Sequence, residues 1–426
     1  VEGNYKTAEP GLIFWSTMSN YSPSNYVGKP IICTNPCAEV PLEDGGACNL
    51  GSINLSRFVD NGFTPEASIN WDQLAESTET LVRFLDNVVT WNEDLNALEK
   101  QRVAAAETRR LGLGVMGIAD MLNQLGVAYD SEQGLMMIEK VMEYITNASY
   151  QASSFIAKEK SPSSIFNEKS YMECPFVKEA LSEQTHNMIR KNGLRNIAIM
   201  SIAPTGSISN IVLGYKGEKK NYIGVSGGVE PVFSVFYTRR SESFGNKFFK
   251  VFHSTIQAYI DMNDLQEKVD QAEDVDSVLP EYLTRTAHKI DSIKRVNIQG
   301  VIQRYIDHSI SSTINLPEDV NPETISDIYI KAWKNNLKGV TIYRDGSRFP
   351  ILSTENKMTK YQELKTKTYS VMQDNGETVE ILGDDIFKLP DGKLTTMYHH
   401  LKEMESPIDT KEDTVNDTKI TEEIDA

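Results

Sequence analysis

The sequence predicts an α/β protein, and three observations carry that prediction. The run 196–202 (NIAIMSI) is short, largely apolar and closed off by Pro204, as a strand buried on both faces would be. Segments with helical spacing of apolar residues lie on both sides of it. The stretch 337–343 (LKGVTIY) reads as a helix end at Gly339 feeding a β-branched strand. Strand and helix alternate through the middle of the chain, which is the pattern of a domain with interior strands.

Residues 1–60 are rich in Pro, Gly and Asn and predict loops and short strands. Between Trp71 and Arg110, Leu74, Leu81, Leu85, Val88 and Val89 recur at helical spacing. The stretch 131–160 predicts a further helix and opens on Ser131-Glu132, a capping pair. Helices are also expected over 295–309 and 325–337. Past Pro350 the character changes: 369–372 and 378–381 predict a β-hairpin around Asn375-Gly376. From Ser406 the chain is acidic and lacks aromatics, so a disordered tail is expected.

At 426 residues the chain is long enough to bury a large core, as one big domain or two to three smaller ones, and a hydrophobic fraction of 40% is that of a globular protein. A net charge of −17 repels nucleic acid and anionic membrane, so neither is expected as a partner. No apolar run reaches the ~18 residues of a membrane-spanning helix. The start, Val1-Glu2-Gly3-Asn4, has neither a signal peptide nor an initiator Met, which suggests a fragment or a processed product. Four cysteines are too few for a disulfide scaffold. Cys33, Cys37 and Cys48 lack paired C-x2-C knuckles and a nearby His, so no metal site is assigned. Cys174 reads as a small buried hydrophobe.

The segment Asn35-Pro36-Cys37-Ala38-Glu39 concentrates chemistry. If it is extended, side chains two apart share one side, and Asn35, Cys37 and Glu39 converge. A thiol, a carboxylate to take a proton and an amide to hold a hydroxyl form a candidate reaction centre. Gly112-Leu113-Gly114-Val115-Met116-Gly117 matches G-x-G-x-x-G, but helix-like residues 103–108 stand where a dinucleotide fold needs a strand. Close packing of a helix is the expectation there. Pro204, Thr205, Gly206, Ser207 and Ile208 follow the buried run, an arrangement that aims backbone N–H groups at an anion, or else forms a plain N-capped turn. A second Gly-rich loop, 226–231, reads as structural support. Arg344 and Arg348 suit either a phosphate or a turn, and no His stands by a Ser or Cys motif as a hydrolytic triad requires.

Together the segments NPCAEVPLEDGGACNLGSINLSRF (35–58), RRLGLGVMGIADML (109–122), APTGSISNI (203–211), SGGVEPVF (226–233), SISSTINLP (309–317) and KGVTIYRDGSR (338–348) resemble the ribonucleotide reductase catalytic subunit, in particular its adenosylcobalamin-dependent, class II branch. The resemblance implies part of a ten-stranded α/β barrel over 1–350, with a central finger loop tipped by Cys37. A small β-containing extension would follow over 351–405, then the acidic tail 406–426. It implies that Cys37 forms a thiyl radical that takes the ribose 3′ hydrogen, that Glu39 accepts the 3′-hydroxyl proton, and that Asn35 hydrogen-bonds the substrate. Pro204, Thr205, Gly206, Ser207 and Ile208 would cradle the substrate phosphates, and Cys48 would be one of two reducing thiols. The implied partners are a ribonucleotide, an N-terminal half, as a separate chain or a missing segment, that carries the other thiol, and an external thiol reductant such as thioredoxin, in the cytoplasm. Tyr343 stands alone between Ile342 and Arg344, where the branch with a second, radical-generating subunit has paired tyrosines; this favours adenosylcobalamin. That class I type of large subunit and a non-enzymatic nucleotide-binding subunit are the alternative readings. The chain departs from the family in having Ala38 where Gly is usual and an apparent insertion at 215–223. It also ends in acidic residues in place of a Cys-rich tail.

Overall fold

The computed structural model describes residues 1–241, 247–347, 360–372 and 377–405. Arg348, the Asn375-Gly376 turn and the acidic tail lie outside the described residues. The chain divides into two units, a larger one of Gly11–Asn315 and Ile330–Thr341, and a smaller one of Val1–Pro10, Leu316–Tyr329 and Ile342–Ala426.

The mixed α/β prediction holds in the larger unit. Its short strands are β1 (Cys33–Thr34) and β2 (Pro41–Leu42), followed by β3 (Asn49–Asn54). The helical stretch expected over 71–110 is two helices, α1 (Trp71–Asn92) and α2 (Glu99–Thr108). Between them Asn96 Oδ1 accepts the Leu98 N–H at 3.1 Å, and Arg109 ends α2 at φ 45°. β4 (Leu111–Met116) follows, then α3 (Ile118–Gln124) and α4 (Glu132–Lys160). Helix α4 opens as the sequence predicts, with Ser131 Oγ accepting the Gly134 N–H at 3.0 Å. Helix α1 buries Leu74, Val82, Leu85 and Val89 in a core that α4 shares through Ile138, Val141 and Ile145.

The glycines of 112–117 do not pack a helix. Gly112 and Gly114 sit on β4, which is buried along its whole length and pairs in parallel with β3, from Asn49↔Leu111 to Asn54↔Met116. A Cβ at Gly114 would lie 2.3 Å from the Ser201 carbonyl oxygen, so only glycine admits the run 196–202 at this distance. That run is wholly buried and extended alongside β4: Leu113 N donates to Ile199 O at 2.8 Å, and Ser201 N to Leu113 O at 2.9 Å. On its far side Ile202 N donates to Ser309 O at 3.1 Å, and Ser311 N to Ile202 O at 2.9 Å. Four parallel segments thus lie side by side, and β3 is the outermost. The helix expected over 295–309 ends at Gln303, because 307–311 is needed in this array. Asp307 accepts the N–H groups of Ile199 and Met200 at 2.7 and 3.1 Å.

Among the described residues no barrel closes. Closure requires a partner on every strand edge, and β3 has β4 on one edge only.

In the smaller unit Arg344 is buried rather than open to a phosphate. Its guanidinium lies 4.0 Å from the Tyr5 ring centroid and donates to Tyr5 O at 2.9 Å and Glu318 O at 2.7 Å. The expected hairpin is present as Thr368–Met372 antiparallel to Thr378–Leu382, with Val371 opposite Val379. A second strand pair, Ile386–Lys388 with Leu394–Thr396, and the helix Met397–Glu405 follow.

Gly114→Ala should destabilise the larger unit by about 1–3 kcal/mol through overpacking against the Ser201 carbonyl. Chemical denaturation followed by circular dichroism checks this.

Candidate active site

β1 and β2 form a small antiparallel hairpin, with Cys33 opposite Leu42 and Thr34 opposite Pro41, and residues 35–40 cross its tip. Asn35 closes the loop twice: its N–H donates to Val40 O at 3.1 Å, and its Oδ1 accepts the Val40 N–H at 3.0 Å. Ala38 N donates to Asn35 O at 3.0 Å, and Ala38 has φ 62°. The tip is therefore turned rather than extended, which corrects the alternation expected from spacing. A left-handed residue here is the conformation glycine adopts most easily, and Ala38 adopts it with a Cβ.

The turn separates the three groups by depth. Cys37 is exposed, Asn35 half-buried, and Glu39 buried at 2% exposure. Glu39 Oε2 has no hydrogen-bond partner among the described residues. The Glu39 carbonyl docks the tip onto the parallel array, accepting Ser201 Oγ–H at 2.9 Å and Ser309 N–H at 3.0 Å. Burial raises the Cys37 pKa, and the Glu39 carboxylate raises it further.

Cys48, half-buried, immediately precedes β3. A Cβ at Gly112 would lie 2.8 Å from its sulfur, so the second role of the G-x-G spacing is to admit this thiol. Burial pushes the Cys48 thiol up to about 12; Arg110 opposes this, and Asp307, Glu39 and Glu43 add to it. The Glu39 carboxylate thus disfavours the thiolate at both Cys37 and Cys48. All four cysteines are free thiols, and Cys174 is wholly buried as expected.

Three residues beyond Ser201, the chain turns through Pro204, Thr205, Gly206, Ser207 and Ile208. Thr205 has φ 54°, its Oγ1 accepts the Gly228 N–H at 2.6 Å, and its carbonyl accepts the Ser209 N–H at 2.9 Å. Gly206, Ser207 and Ile208 are exposed, with open space around the Gly206 Cα. The helix start expected there is a single 3-10 turn, Ile208–Asn210. The loop 226–231 braces it through that Gly228 bond and is itself anchored to α3, where Ser226 N and Oγ both donate to Asp120 Oδ2 at 2.7 and 2.6 Å.

Sequence reasoning missed Ser201 and Ser309, which hold the tip, and the buried pair Arg110–Glu43 at the exit of the hairpin. Thr108 Oγ1 also donates to Glu43, at 2.9 Å. Adjacent arginines at the end of a helix, ahead of a Gly-rich strand, were the available signal.

The hairpin, the parallel array and the turn at 204–208 all fall within a match to the ribonucleotide reductase barrel domain. The chain matches that family over residues 1–343 and belongs to it. Among curated relatives it is 34% identical over 374 residues to the vitamin B12-dependent ribonucleoside-diphosphate reductase of Thermoplasma acidophilum, covering 86% of this chain and 44% of that protein. It is 33% identical over 349 residues to the protein of the same name from Mycobacterium tuberculosis, covering 80% and 45%. The chain thus spans under half the length of these relatives. Among solved structures it resembles the Actinobacillus ureae class Id ribonucleotide reductase alpha subunit, with a TM-score of 0.60 at 21% identity over 80% of this chain and 59% of that one, a likeness of fold.

Both raised thiols stay protonated at neutral pH, so iodoacetamide at pH 8 should modify Cys37 before Cys48 and leave Cys174 until last. Glu39→Gln removes a negative charge that disfavours the Cys37 thiolate, so the pKa falls and Cys37 should react faster. Peptide mass spectrometry against time reads both outcomes.

Proposed function

We propose that this chain is the finger-bearing part of a ribonucleotide reductase and that the complete enzyme converts ribonucleotides to deoxyribonucleotides. The observation that carries this reading is the docked tip, an exposed Cys37 thiol over the buried Glu39 carboxylate, in a chain of this family. A thiyl radical on Cys37 takes the ribose 3′ hydrogen, and Glu39, whose Oε2 has no protein partner among the described residues, accepts the 3′-hydroxyl proton while the 2′-hydroxyl, protonated by one of the reducing thiols, leaves as water. Asn35 offers its Nδ2 hydrogens to the substrate, its Oδ1 being committed to Val40. Pro204, Thr205, Gly206, Ser207 and Ile208 hold the phosphates, and the exposure of residues 206–208 supports this. Cys48 is one of the two thiols that deliver reducing equivalents and end as a disulfide, which an external dithiol such as thioredoxin reopens.

The other thiol and the remaining strands of a ten-stranded barrel belong to an N-terminal half that works with this chain. The unpaired edge of β3 and the fraction of the relatives' length covered support that reading. The cofactor is adenosylcobalamin: the relatives of highest identity described above carry vitamin B12 in their names. An exposed fingertip thiol fits the approach of so bulky a group. When bound, it supplies the one-electron oxidising equivalent that Cys37 needs. A cytoplasmic setting follows from chemistry that depends on thiols being kept reduced. No helix among the described residues is long and apolar enough to cross a membrane.

The test is deoxyribonucleotide formation by this chain combined with its N-terminal half, with adenosylcobalamin and dithiothreitol. Activity should require the cofactor and both halves. Cys37→Ser should abolish it, and Glu39→Gln should lower kcat by about 10²–10⁴-fold. Undiminished turnover by Cys37→Ser sinks the reading. Turnover without cobalamin removes the cofactor, and turnover by this chain alone removes the companion.

A further inference from the structure

We propose that Arg110, clamped by Glu43, is the positioning residue for the Cys48 thiol, holding a fixed positive charge beside the sulfur when it ionises. This rests on the reading of Cys48 as a reducing thiol. The step is deprotonation alone: the proton leaves to solvent, and the negative charge stays on sulfur beside the guanidinium.

Two observations of geometry bring the two groups to neighbouring positions, and a third ties the Glu43 clamp to the same connection. The parallel ladder starts at Asn49↔Leu111, and its register, carried back one position, sets Cys48 beside Arg110. Arg110 and Gly112, two apart, share one side of the chain, and Gly112 is the residue whose missing side chain makes room for the Cys48 sulfur. The connection from Glu43 to Cys48 folds back on the Glu43 carboxylate: Gly46 N donates to Glu43 O at 2.9 Å, and a Cβ on Gly46 would lie 3.1 Å from Glu43 Oε2.

The clamp is fully buried. Arg110 is 1% exposed and Glu43 3%. Glu43 is held by Thr108 Oγ1 on one oxygen and by Arg110 Nη2 on the other. Arg110 Nε has no partner among the described residues, so the guanidinium keeps donor capacity beyond its ion pair. A buried arginine with a spare donor beside a thiol fits a sulfur that becomes anionic in use. After burial, the groups that act most on that sulfur among the described residues are Arg110, Asp307, Glu39 and Glu43; of these Arg110 alone favours the thiolate. Without it, three carboxylates and burial all oppose the thiolate that attacks or leaves in disulfide exchange.

A purely structural clamp and a charge-presenting one predict opposite signs. Loosening a structural clamp exposes Cys48 and speeds its alkylation. Removing the charge lowers the thiolate fraction and slows it. The experiment compares iodoacetamide modification of Cys48 and Cys37 at pH 8 in the full chain, with circular dichroism to establish folding. Glu43→Gln with Arg110→Gln together should slow Cys48 by roughly threefold or more relative to Cys37. Arg110→Lys, which keeps the charge, should hold the rate within about twofold and serves where the double variant fails to fold. An unchanged or faster Cys48 in the folded double variant, or a several-fold acceleration in Arg110→Lys, overturns the proposal. Cys48→Ser that leaves dithiol-driven turnover of the reconstituted enzyme intact would instead remove the reading of Cys48 as a reducing thiol, whatever the alkylation shows.

Discussion

Two hydrogen bonds to one carbonyl oxygen, from Ser201 Oγ and Ser309 N to Glu39, fix the reactive tip to the rest of the larger unit. Each is worth only about 0.5–1.5 kcal/mol net, so the tip is placed well only if both donors are themselves immobile. Ser201 lies on a run that Gly114 admits to contact with β4 and that Asp307 holds through the amides of Ile199 and Met200. Ser309 lies two residues beyond Asp307, on the segment paired with Ile202. Asp307 is in turn held by Tyr150 Oη, and its carbonyl accepts from Lys338 Nζ at 2.5 Å. The cost of burying these charges goes into the position of a backbone atom 162 residues distant in sequence from Ser201.

The same frame gives two thiols different electrostatics from shared surroundings. Cys37 is exposed at the tip and feels Glu39, which keeps it a thiol, the form from which a hydrogen atom can be lost and regained. Cys48 is more deeply set and more strongly opposed to ionisation, yet it alone has a guanidinium in the neighbouring register. If Glu39 serves the substrate as proposed, its carboxylate penalises the thiolate at both sulfurs. In the proposed reading Arg110 offsets that penalty at Cys48, while burial and Glu39 keep Cys37 protonated.

Much of this was legible locally. The buried run before Pro204, the Ser131 cap and the paired strands of the 369–381 hairpin all follow from residue type and spacing over a few positions. What failed depended on partners far along the chain. The glycines of 112–117 look alike in a helix or a strand; the choice is made by the Ser201 carbonyl and the Cys48 sulfur. The tip looked extended because alanine gives no sign of positive φ, and Ala38 takes that conformation only because Asn35 and Val40 close the loop around it. The helix expected to run to Ser309 stops at Gln303 because Asp307 and Ile310 are taken by the array. Arg110 and Glu43 are 67 residues apart, and neither looks exceptional without the other.

The edge of the array bears on how such a chain functions. Among the described residues no strand pairs with the outer edge of β3, and Leu50 on it is 47% exposed. An open edge bearing an apolar side chain invites pairing with another strand. Here that edge begins one residue after Cys48. A strand added to β3 would therefore run beside the thiol that Arg110 serves, on the side away from β4. That is the position from which a second thiol would reach Cys48 without disturbing Gly112 or the clamp. In the proposed enzyme, then, the interaction that completes the sheet would also complete the redox pair, and a chain lacking that neighbour would hold its hydrogen-abstracting thiol in place while having no local way to supply electrons.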